Sequence, residues 1–593
     1  MDKTALIERI QKIEGLSIEE RSALLGLLRS HKKYGLVWED KPEDVEERLR
    51  DELPVLREVK DKFIPSDAED APNHIIIEGD NLEALTALSY THEGKIDVIY
   101  IDPPYNTGKR DDFIYNDKIV DAEDSYRHSK WLSFMNKRLI IAKRLLSESG
   151  AIFISIDDNE EANLKLLCNE IFGESFFVTD IAWRSSDSSN HDAKKFSVDY
   201  NHTLVYSKCL DWQPSKVERS EDNNSHYKNP DNDPRGPWFP SNVQSPNPRK
   251  NLMFDIISPT GHAIHPPKNG WRWSESKMKE FIEDGVIIFP DNGTRLVKKT
   301  FLKDQAGIVP SNIWWDIEET GHNRNAKYEL KKIFPELNTS DIFKTPKPTK
   351  FINRILTLAS SKDSVILDFF AGSGTTLHSV MMTNLQDGGR RQCILVQSSE
   401  GNICEKFTYE RNKRVIKGAS STSLESLTAN RLRYYCTDFI PRDRTQKNMR
   451  DLVNASTDLL CIKEDLYTEQ DKFGRFRVNP RLMRYFTDGK KHMLVVYREE
   501  IVDQLAAEIA NLDFGKEKLK IYIFSPARYA FNDNFAEVSE KVTLVALPAA
   551  IYDAYEKVLP KRKEKLFELE KEKESVTETM QDLFSGQEEG GEQ

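Results

Sequence analysis

The chain has 593 residues, of which 38% are hydrophobic and 31% are charged, and its formal net charge is -12. This composition excludes collagen-like and wholly disordered chains. No apolar run approaches the roughly 18 residues of a membrane helix, and the opening residues lack the apolar segment of a secretory signal. Six cysteines without a CxxC pair argue against a disulfide framework and a zinc cluster. We therefore expect a cytoplasmic protein with no membrane contact and no metal.

The first 70 residues are charged and predict a helical N-terminal arm, either a packing element or a dimerisation element. Leu6, Ile7 and Ile10 fall at helical spacing, and a second apolar cluster surrounds Leu24. Pro42 suits the start of another helix, which Pro54 ends or kinks.

From His74 onward, short apolar runs alternate with helical patterns. The predicted strands are 74–78, 96–101, 150–157, 364–367 and 393–397. The predicted helices are 82–88, 131–147, 160–172, 351–359 and 375–383. Continuous apolar strands that alternate with helices are typical of a parallel sheet covered on both faces. The sequence therefore predicts a doubly wound α/β domain.

A segment of different composition divides this α/β pattern. Residues 181–350 contain 25 basic and 22 acidic residues and seven of the nine tryptophans, so this stretch is slightly basic in an acidic chain. The predicted boundaries are a helical arm at 1–70, the two halves of the α/β domain at 71–180 and 341–430, an insert at 181–340, a C-terminal α+β domain at 431–560, and a charged helix with a disordered tail at 561–593.

The strand at 96–101 is followed directly by Asp102-Pro103-Pro104-Tyr105-Asn106. Ligand sites of open α/β sheets lie at the carboxyl ends of their strands. Two consecutive prolines fix the backbone and remove two N–H donors, which leaves carbonyl groups free to face a ligand amine. A carboxylate and a carbonyl suit an exocyclic –NH2 group, and Tyr105 offers a flat face on which a base can stack. Taken alone, the motif is equally consistent with a rigid turn.

A second motif, at 365–376, combines a strand, a glycine turn and a helix start, VILDFFAGSGTT. Gly372 and Gly374 allow close approach of the backbone to a cofactor, and either Thr375 or Thr376 is expected to cap the helix. The spacing is not that of a phosphate-binding Walker loop, and Leu377 replaces the third glycine of the dinucleotide fingerprint. A nucleotide-like cofactor without a pyrophosphate fits this loop better.

Together the two motifs resemble those of DNA amino-methyltransferases, with a DPPY catalytic loop and an FxGxG loop for S-adenosylmethionine. The catalytic loop comes first in the chain, an order similar to that of the beta group of these enzymes. The resemblance implies an α/β fold: a circularly permuted, doubly wound methyltransferase sheet with an inserted target recognition domain and a smaller α+β C-terminal domain.

Further segments resemble the modification (Mod) subunits of Type III restriction-modification systems, roughly over residues 32–547. They are KKYGLVWEDKPE, HIIIEGDNLEAL, GAIFISIDDNE, NPDNDPRGPW, KTPKPTKFINRIL and LLCIKEDLY. This family implies methylation of N6 of an adenine flipped out of double-stranded DNA, a Mod homodimer, and a helicase-nuclease (Res) partner.

The resemblance also implies roles for matching residues. The catalytic set is Asp102, Pro103, Pro104 and Tyr105, which hold the adenine amine and stack on the base. The cofactor set is Asp80, Asn106, Lys347, Pro348, Asp368, Phe370, Ala371, Gly372, Gly374 and Glu400. Lys347 and Pro348 match the segment that flanks the methionine part of the cofactor. The ribose ligand is either Gln397 or Glu400.

The insert is the expected reader of DNA sequence. Lys298-Lys299 and Lys331-Lys332 are candidate phosphate contacts, and Asn, Arg and Gln side chains are candidates for base edges. Single residues are weak evidence here. We interpret Trp271 and Trp273 as core residues and the histidines at 262 and 265 as ordinary loop residues.

Two alternatives stay open. The first is methylation of cytosine at N4, although an initial Asp in the PPY motif favours adenine by resemblance. The second is a chain that acts mainly as the DNA-recognition and assembly subunit of a defence complex. The intact motifs argue against a catalytically dead protein. The recognition sequence does not follow from the residues.

Overall fold

The computed structural model describes residues 38–108, 114–115, 118–119, 123–418 and 427–561. The chain divides into two compact units, one made of Gln213–Ser311 and the other of the chain on either side of that segment. No helix within the described ranges combines the length and apolarity needed to cross a bilayer.

The described part of the chain up to residue 212 contains four helices and six strands of four residues or more. In chain order they are α1 Asp44–Asp51, β1 Glu52–Glu58, β2 Asn73–Glu78, α2 Asn81–Thr91, β3 Ile96–Ile101, α3 Arg127–Leu145, β4 Leu146–Ile156, α4 Glu161–Phe172, β5 Phe177–Arg184 and β6 Tyr200–Ser207.

The unit at Gln213–Ser311 contains little regular structure. Its elements of four residues or more are α5 Glu221–Asn224, β7 Trp238–Ser241, α6 Glu275–Glu283 and β8 Val297–Phe301. A three-stranded sheet joins the short strand Ile287–Ile288, β8 and β7. Trp271 is 3% exposed in the core of this unit, and Trp273 packs against that core, as expected.

Between Asn312 and residue 418 the α/β pattern returns. The elements are β9 Ile313–Trp314, α7 Ile317–Thr320, α8 Asn323–Ile333, α9 Thr349–Ala359, β10 Val365–Asp368, α10 Thr375–Asp387, β11 Gln392–Gln397 and α11 Glu410–Lys417. A π-helix at Cys404–Tyr409 leads directly into α11.

From residue 427 the elements are β12 Arg431–Pro441, α12 Gln446–Ala455, α13 Thr457–Glu464, β13 Met483–Thr487, β14 His492–Val496, α14 Val502–Ala510, β15 Leu519–Phe524, β16 Val542–Leu547 and α15 Ala549–Tyr555. The strands β13, β14, β15 and β16 lie side by side in a second sheet with the short strand Glu469–Gln470 at its edge. Side chains of this sheet, such as Met493 and Phe524, belong to the same core cluster as Leu85 and Ile99 of the large sheet region.

Ten strands form the large sheet, in the order β1-β12-β2-β11-β10-β3-β4-β6-β5-β9. The six strands from β12 to β4 are mutually parallel, whereas β6 is antiparallel to both of its neighbours. Strand β3 has four consecutive buried residues, from Val98 to Ile101, so both of its faces are covered. The strands and helices predicted between residues 74 and 172 and between 351 and 397 are therefore confirmed, with ends that differ by a few residues.

The prediction of a helical arm to residue 70 is wrong over residues 52–58. This segment is the edge strand β1, which pairs antiparallel with β12. Pro54 is tolerated there because an edge strand leaves one side without ladder partners, and the Tyr555 hydroxyl donates to the Pro54 carbonyl at 2.7 Å. The apolar residues before position 38 and the tail after 561 lie outside the described residues.

Two predicted boundaries also shift, because pairing in the large sheet overrides local composition. Residues 177–184 and 200–207 form β5 and β6, so the compact insert begins near residue 213 and not at 181. Residues 431–441 form β12 between β1 and β2, so they do not belong to a separate C-terminal domain.

One predicted phosphate contact is a buried structural residue. Lys299 is 5% exposed and donates to Asp233 at 2.7 Å and to Asp231. Arg235 also pairs with Asp233, and the Trp238 ring nitrogen donates to Asp231 at 2.9 Å. The NPDNDPRGPW segment therefore surrounds the Lys299 ammonium, and its aspartates and its tryptophan all take part in that arrangement.

We expect Lys299→Met to lower the free energy of unfolding of this unit by about 2 kcal/mol, because it leaves paired carboxylates without their ammonium. The neighbouring Lys298, whose ammonium lies 5.1 Å from the Trp273 ring centre, is the matched control, and Lys298→Met should cost less than about 1 kcal/mol. Hydrogen exchange of peptides from 213–311 measures both. Equal protection in the two variants would contradict the structural role of Lys299.

Candidate active site

Four loops meet where neighbouring parallel strands end. They follow β2, β11, β10 and β3, whose carboxyl ends lie at one edge of the sheet. The amide of Gly79 donates to the Gln397 carbonyl at 3.0 Å, and the side-chain amide of Asn81 donates to the Phe369 carbonyl at 3.2 Å. Because β10 pairs directly with β3, the two sequence motifs also lie side by side, although about 270 residues of chain separate them.

The loop after β3 is held rigidly on both sides. The Trp131 ring nitrogen donates to the Pro104 carbonyl at 2.7 Å. Asn106 has a φ of 55° and is fully buried, and its side-chain amide donates to Glu160 and to the Arg127 carbonyl. The described residues include no donor to the Pro103 carbonyl.

Three side chains form a closed triangle at this loop. The Lys347 ammonium donates to the Asp102 carboxylate at 2.7 Å and to the Tyr105 hydroxyl at 2.9 Å, and the Tyr105 hydroxyl donates to the same carboxylate oxygen at 2.8 Å. The Asp102 side chain is 23% exposed and that of Lys347 only 9%. A partly open carboxylate thus lies beside a nearly buried ammonium.

Burial shapes the electrostatics of this edge. Burial, together with the nearby Asp102 charge, raises the pKa of the Asp368 carboxyl to about 7, against hydrogen bonds from Thr376 and the Phe370 amide. Burial and the Asp102 charge also raise the pKa of Tyr105 well above its usual value. Tyr105 therefore stays protonated and remains a hydrogen-bond donor to Asp102.

The glycine turn after β10 requires glycine for two separate reasons. Gly372 and Gly374 both have positive φ, 52° and 73°. A Cβ on Gly374 would lie 2.5 Å from the Asn412 amide nitrogen and 2.9 Å from the Thr408 carbonyl oxygen. The turn is therefore shaped by close contact with the segment 404–417.

That segment also anchors the turn through buried polar groups. Arg411 is 1% exposed and donates to the hydroxyls of Ser373 and Thr375, at 3.1 and 2.6 Å. Its pKa falls to about 10 because of burial, which still leaves it charged at neutral pH. The predicted threonine cap is wrong: the N-cap of α10 is Gly374, and Thr376 donates to the Asp368 carboxylate instead.

The other predicted cofactor residues near this turn differ in the contacts that they make. The Asp80 carboxylate caps α2 by accepting from the Leu82 amide at 2.7 Å, and it pairs with the buried Arg138 at 3.3 Å. The Phe370 ring packs against that of Phe134 with centres 5.8 Å apart. The Ala371 amide donates to the Val396 carbonyl at 3.1 Å.

The two ribose candidates differ in what their side chains do. The side-chain oxygen of Gln397 accepts from the Gly372 amide at 2.7 Å, so it shapes the glycine turn. Glu400 is exposed, and no described residue pairs with its carboxylate. Glu400 is therefore the freer of the two acceptors.

The segment that carries Lys347 and Pro348 lies at the start of α9. Pro348 is its N-cap, and Glu329 accepts from the Thr349 amide and hydroxyl, both at 3.1 Å. No sequence motif indicates the Lys347–Asp102 contact, which joins residues 245 positions apart. Sequence analysis also did not identify Trp131, Glu160 and Arg411, because side chains that hold a loop in place do not form a short motif.

Comparisons with known proteins agree with this geometry. A family model described as DNA methylase matches residues 96–409, which is more than half of the chain. The chain is 33% identical over 394 residues to the Mod subunit of the Type III restriction-modification enzyme StyLTI of Salmonella typhimurium, a match that covers 62% of this chain and 57% of that protein.

Two further relatives support the same family. The EcoPI Mod subunit of Escherichia phage P1 is 32% identical, with 58% of this chain and 60% of that protein covered. The Type II methyltransferase M.KpnI of Klebsiella pneumoniae is 30% identical, with 61% of this chain and 89% of that protein covered. The match thus spans somewhat more than half the length of these Mod subunits and most of M.KpnI. The chain belongs to the DNA methylase family.

Proposed function

We propose that this protein transfers a methyl group from S-adenosylmethionine to N6 of an adenine flipped out of double-stranded DNA. The observation that carries the proposal is the pair of oxygen acceptors at Asp102 and Pro103, held beside the glycine turn at one edge of the sheet. An exocyclic amine has two N–H groups, and this pair accepts both.

The residues around the glycine turn fit S-adenosylmethionine. The positive φ of Gly372 leaves a cradle that a side chain would fill, since its Cβ would lie 3.1 Å from the Phe343 ring. Phe370, Ala371 and Gly374 complete the turn, and Asp80 and Glu400 supply carboxylates from the loops that follow β2 and β11. When bound there, the cofactor supplies an electrophilic methyl group.

The protein's own contribution is mainly positioning. Asp102 and the Pro103 carbonyl orient the amine so that its lone pair points away from the acceptors, and they stabilise the positive charge that develops on nitrogen. Tyr105 offers its ring to the flipped base. Flipping costs a few kcal/mol, and stacking offsets part of it.

Lys347 has a second role in this proposal, beyond its expected place beside the methionine part of the cofactor. Its ammonium and the Tyr105 hydroxyl both donate to Oδ1 of Asp102, and no described residue donates to Oδ2. Lys347 therefore orients the carboxylate and leaves Oδ2 for the substrate amine.

Adenine is favoured over cytosine because the motif begins with Asp and because three of the similar proteins are Type III Mod subunits. Methylation of cytosine at N4 uses the same acceptors and stays the alternative.

The remaining architecture is also part of the proposal. The sheet is a circular permutation in which the catalytic half precedes the cofactor half, a change that domains tolerate when their termini are close. The inserted region, centred on the unit at Gln213–Ser311, is the target recognition domain, and the regions outside the α/β core serve assembly. A homodimer and a Res helicase-nuclease partner follow from the likeness to Mod subunits. A chain that serves mainly as a recognition and assembly subunit is the second candidate.

We expect Asp102→Ala to abolish methyl transfer while DNA binding persists, because it removes one acceptor without touching the recognition region. Incorporation of tritiated methyl groups and DNA mobility shifts measure the two properties. The control is Asp363→Ala, which removes an exposed carboxylate at the opposite end of β10 and should leave transfer unchanged. Full transfer by Asp102→Ala would refute the assignment.

Helix α10 offers a matched pair of glycines for testing cofactor binding. Gly374 and Gly388 flank the helix with φ of 73° and 68°, but nothing lies within 4 Å of a Cβ on Gly388. Both alanine variants carry a similar backbone strain of about 1–2 kcal/mol. Only Gly374→Ala should weaken S-adenosylmethionine binding, by more than about tenfold, as measured by titration calorimetry. A similar affinity for both variants would show that the turn does not hold the cofactor.

A further inference from the structure

The loop that joins β5 to β6, residues 185–199, leaves the sheet beside the catalytic loop. Strand β5 is antiparallel to β6, which is antiparallel to β4, so β5 ends at the same edge as β3 and β4. The Lys347 ammonium lies 5.8 Å from the centre of the Trp183 ring in β5 and 2.7 Å from Asp102. The root of the loop is therefore next to the site where the base would enter.

The base of this loop is fixed by hydrogen bonds. The amides of Ser185 and Ser186 donate to the Asp199 carbonyl, at 3.0 and 3.3 Å. The Asn190 amide donates to the Ser197 hydroxyl at 2.7 Å. Outside the loop, Arg324 pairs with Asp187 at 2.7 Å. The tip is thus presented on an ordered base.

The tip carries an aromatic ring in water beside two free cations. Phe196 is 95% exposed, the highest value among the exposed large hydrophobic side chains of the described residues. Lys194 and Lys195 are exposed, and the described residues include no carboxylate paired with either. Asp192 is the exposed acidic neighbour, whereas Asp187 is paired and Asp199 accepts from serine hydroxyls.

The Phe196 ring is open to water, so its apolar surface is available to a ligand. Apolar side chains inserted between base steps are a recurring device in DNA-bending proteins. Adjacent lysines suit the phosphates that flank such a step. The apolar ring, the two positive charges and the location beside the site all suit a DNA duplex in which one base has left the stack.

We propose that Phe196 inserts into the duplex at the gap left by the flipped adenine and stacks there on the remaining bases, while Lys194 and Lys195 contact the flanking phosphates. This inference rests on the proposed function and adds the element that stabilises the flipped state.

The test compares Phe196→Ala, Phe196→Trp and Val198→Ala on two substrates. Val198, 63% exposed in the same loop, is the matched control. One substrate is a fully paired duplex that contains the methylation site, and the other carries a mismatch opposite the target adenine, which makes flipping easier. Because stacking contributes about 1–3 kcal/mol per base, Phe196→Ala should lower kcat/KM on the paired duplex by about tenfold to a hundredfold.

Most of that loss should disappear on the mismatched duplex, and Phe196→Trp and Val198→Ala should stay near the wild-type value on both. A loss of equal size on the two substrates, or no loss on the paired one, would overturn the proposal; the second result would leave Phe196 as a contact for a protein partner. A wild-type protein inactive on both substrates contradicts the proposed function instead. Fluorescence of 2-aminopurine at the target position then measures whether Phe196 stabilises the flipped state, and an equal signal for wild type and Phe196→Ala would overturn the proposal.

Discussion

The pairing of β10 with β3 is the constraint on which the rest of the site depends. Ile366 lies opposite Val98 and Leu367 opposite Ile99, in parallel register. Two segments far apart in the chain therefore end side by side, and the residues that follow them, Asp368 and Asp102, come close enough for one charge to raise the pKa of the other. The proposed methyl donor and acceptor amine need that proximity, and the sheet provides it.

The loops at this edge are held by groups that do not themselves face a ligand. Arg411 and Asn412 hold the glycine turn by hydrogen bonds, and Trp131 and Glu160 hold the catalytic loop in the same way. Such bracing keeps acceptors in place before the substrate arrives, which is how a preorganised site lowers the barrier of a reaction that develops charge. Lys347 differs from these braces because it contacts the Asp102 carboxylate itself.

The parts of the fold that were predictable from the sequence are those that a local pattern determines. The continuous apolar run at 96–101 predicts a buried strand, and the strand-glycine-helix order at 365–376 predicts a second one. Each pattern also predicts that a ligand-binding loop follows the carboxyl end of its strand. The helix prediction around Pro54 was wrong because a proline that ends a helix and a proline in an edge strand look alike in the sequence. The prediction that Lys299 contacts phosphate was wrong because a pair of lysines in the sequence gives no measure of burial. The two aspartate partners of Lys299 lie about 66 residues away in the chain. The contact between Lys347 and Asp102 depends on tertiary structure alone.

We propose that this edge of the sheet methylates adenine in DNA, and detection of the modified base is the decisive experiment. The protein would be produced in a host that lacks DNA methylation, and the host DNA sequenced by a single-molecule method that detects modified bases. We expect N6-methyladenine on one strand of a short asymmetric motif, which would also supply the recognition sequence. N4-methylcytosine, or unmodified DNA in cells that contain a folded protein able to bind S-adenosylmethionine, would contradict it.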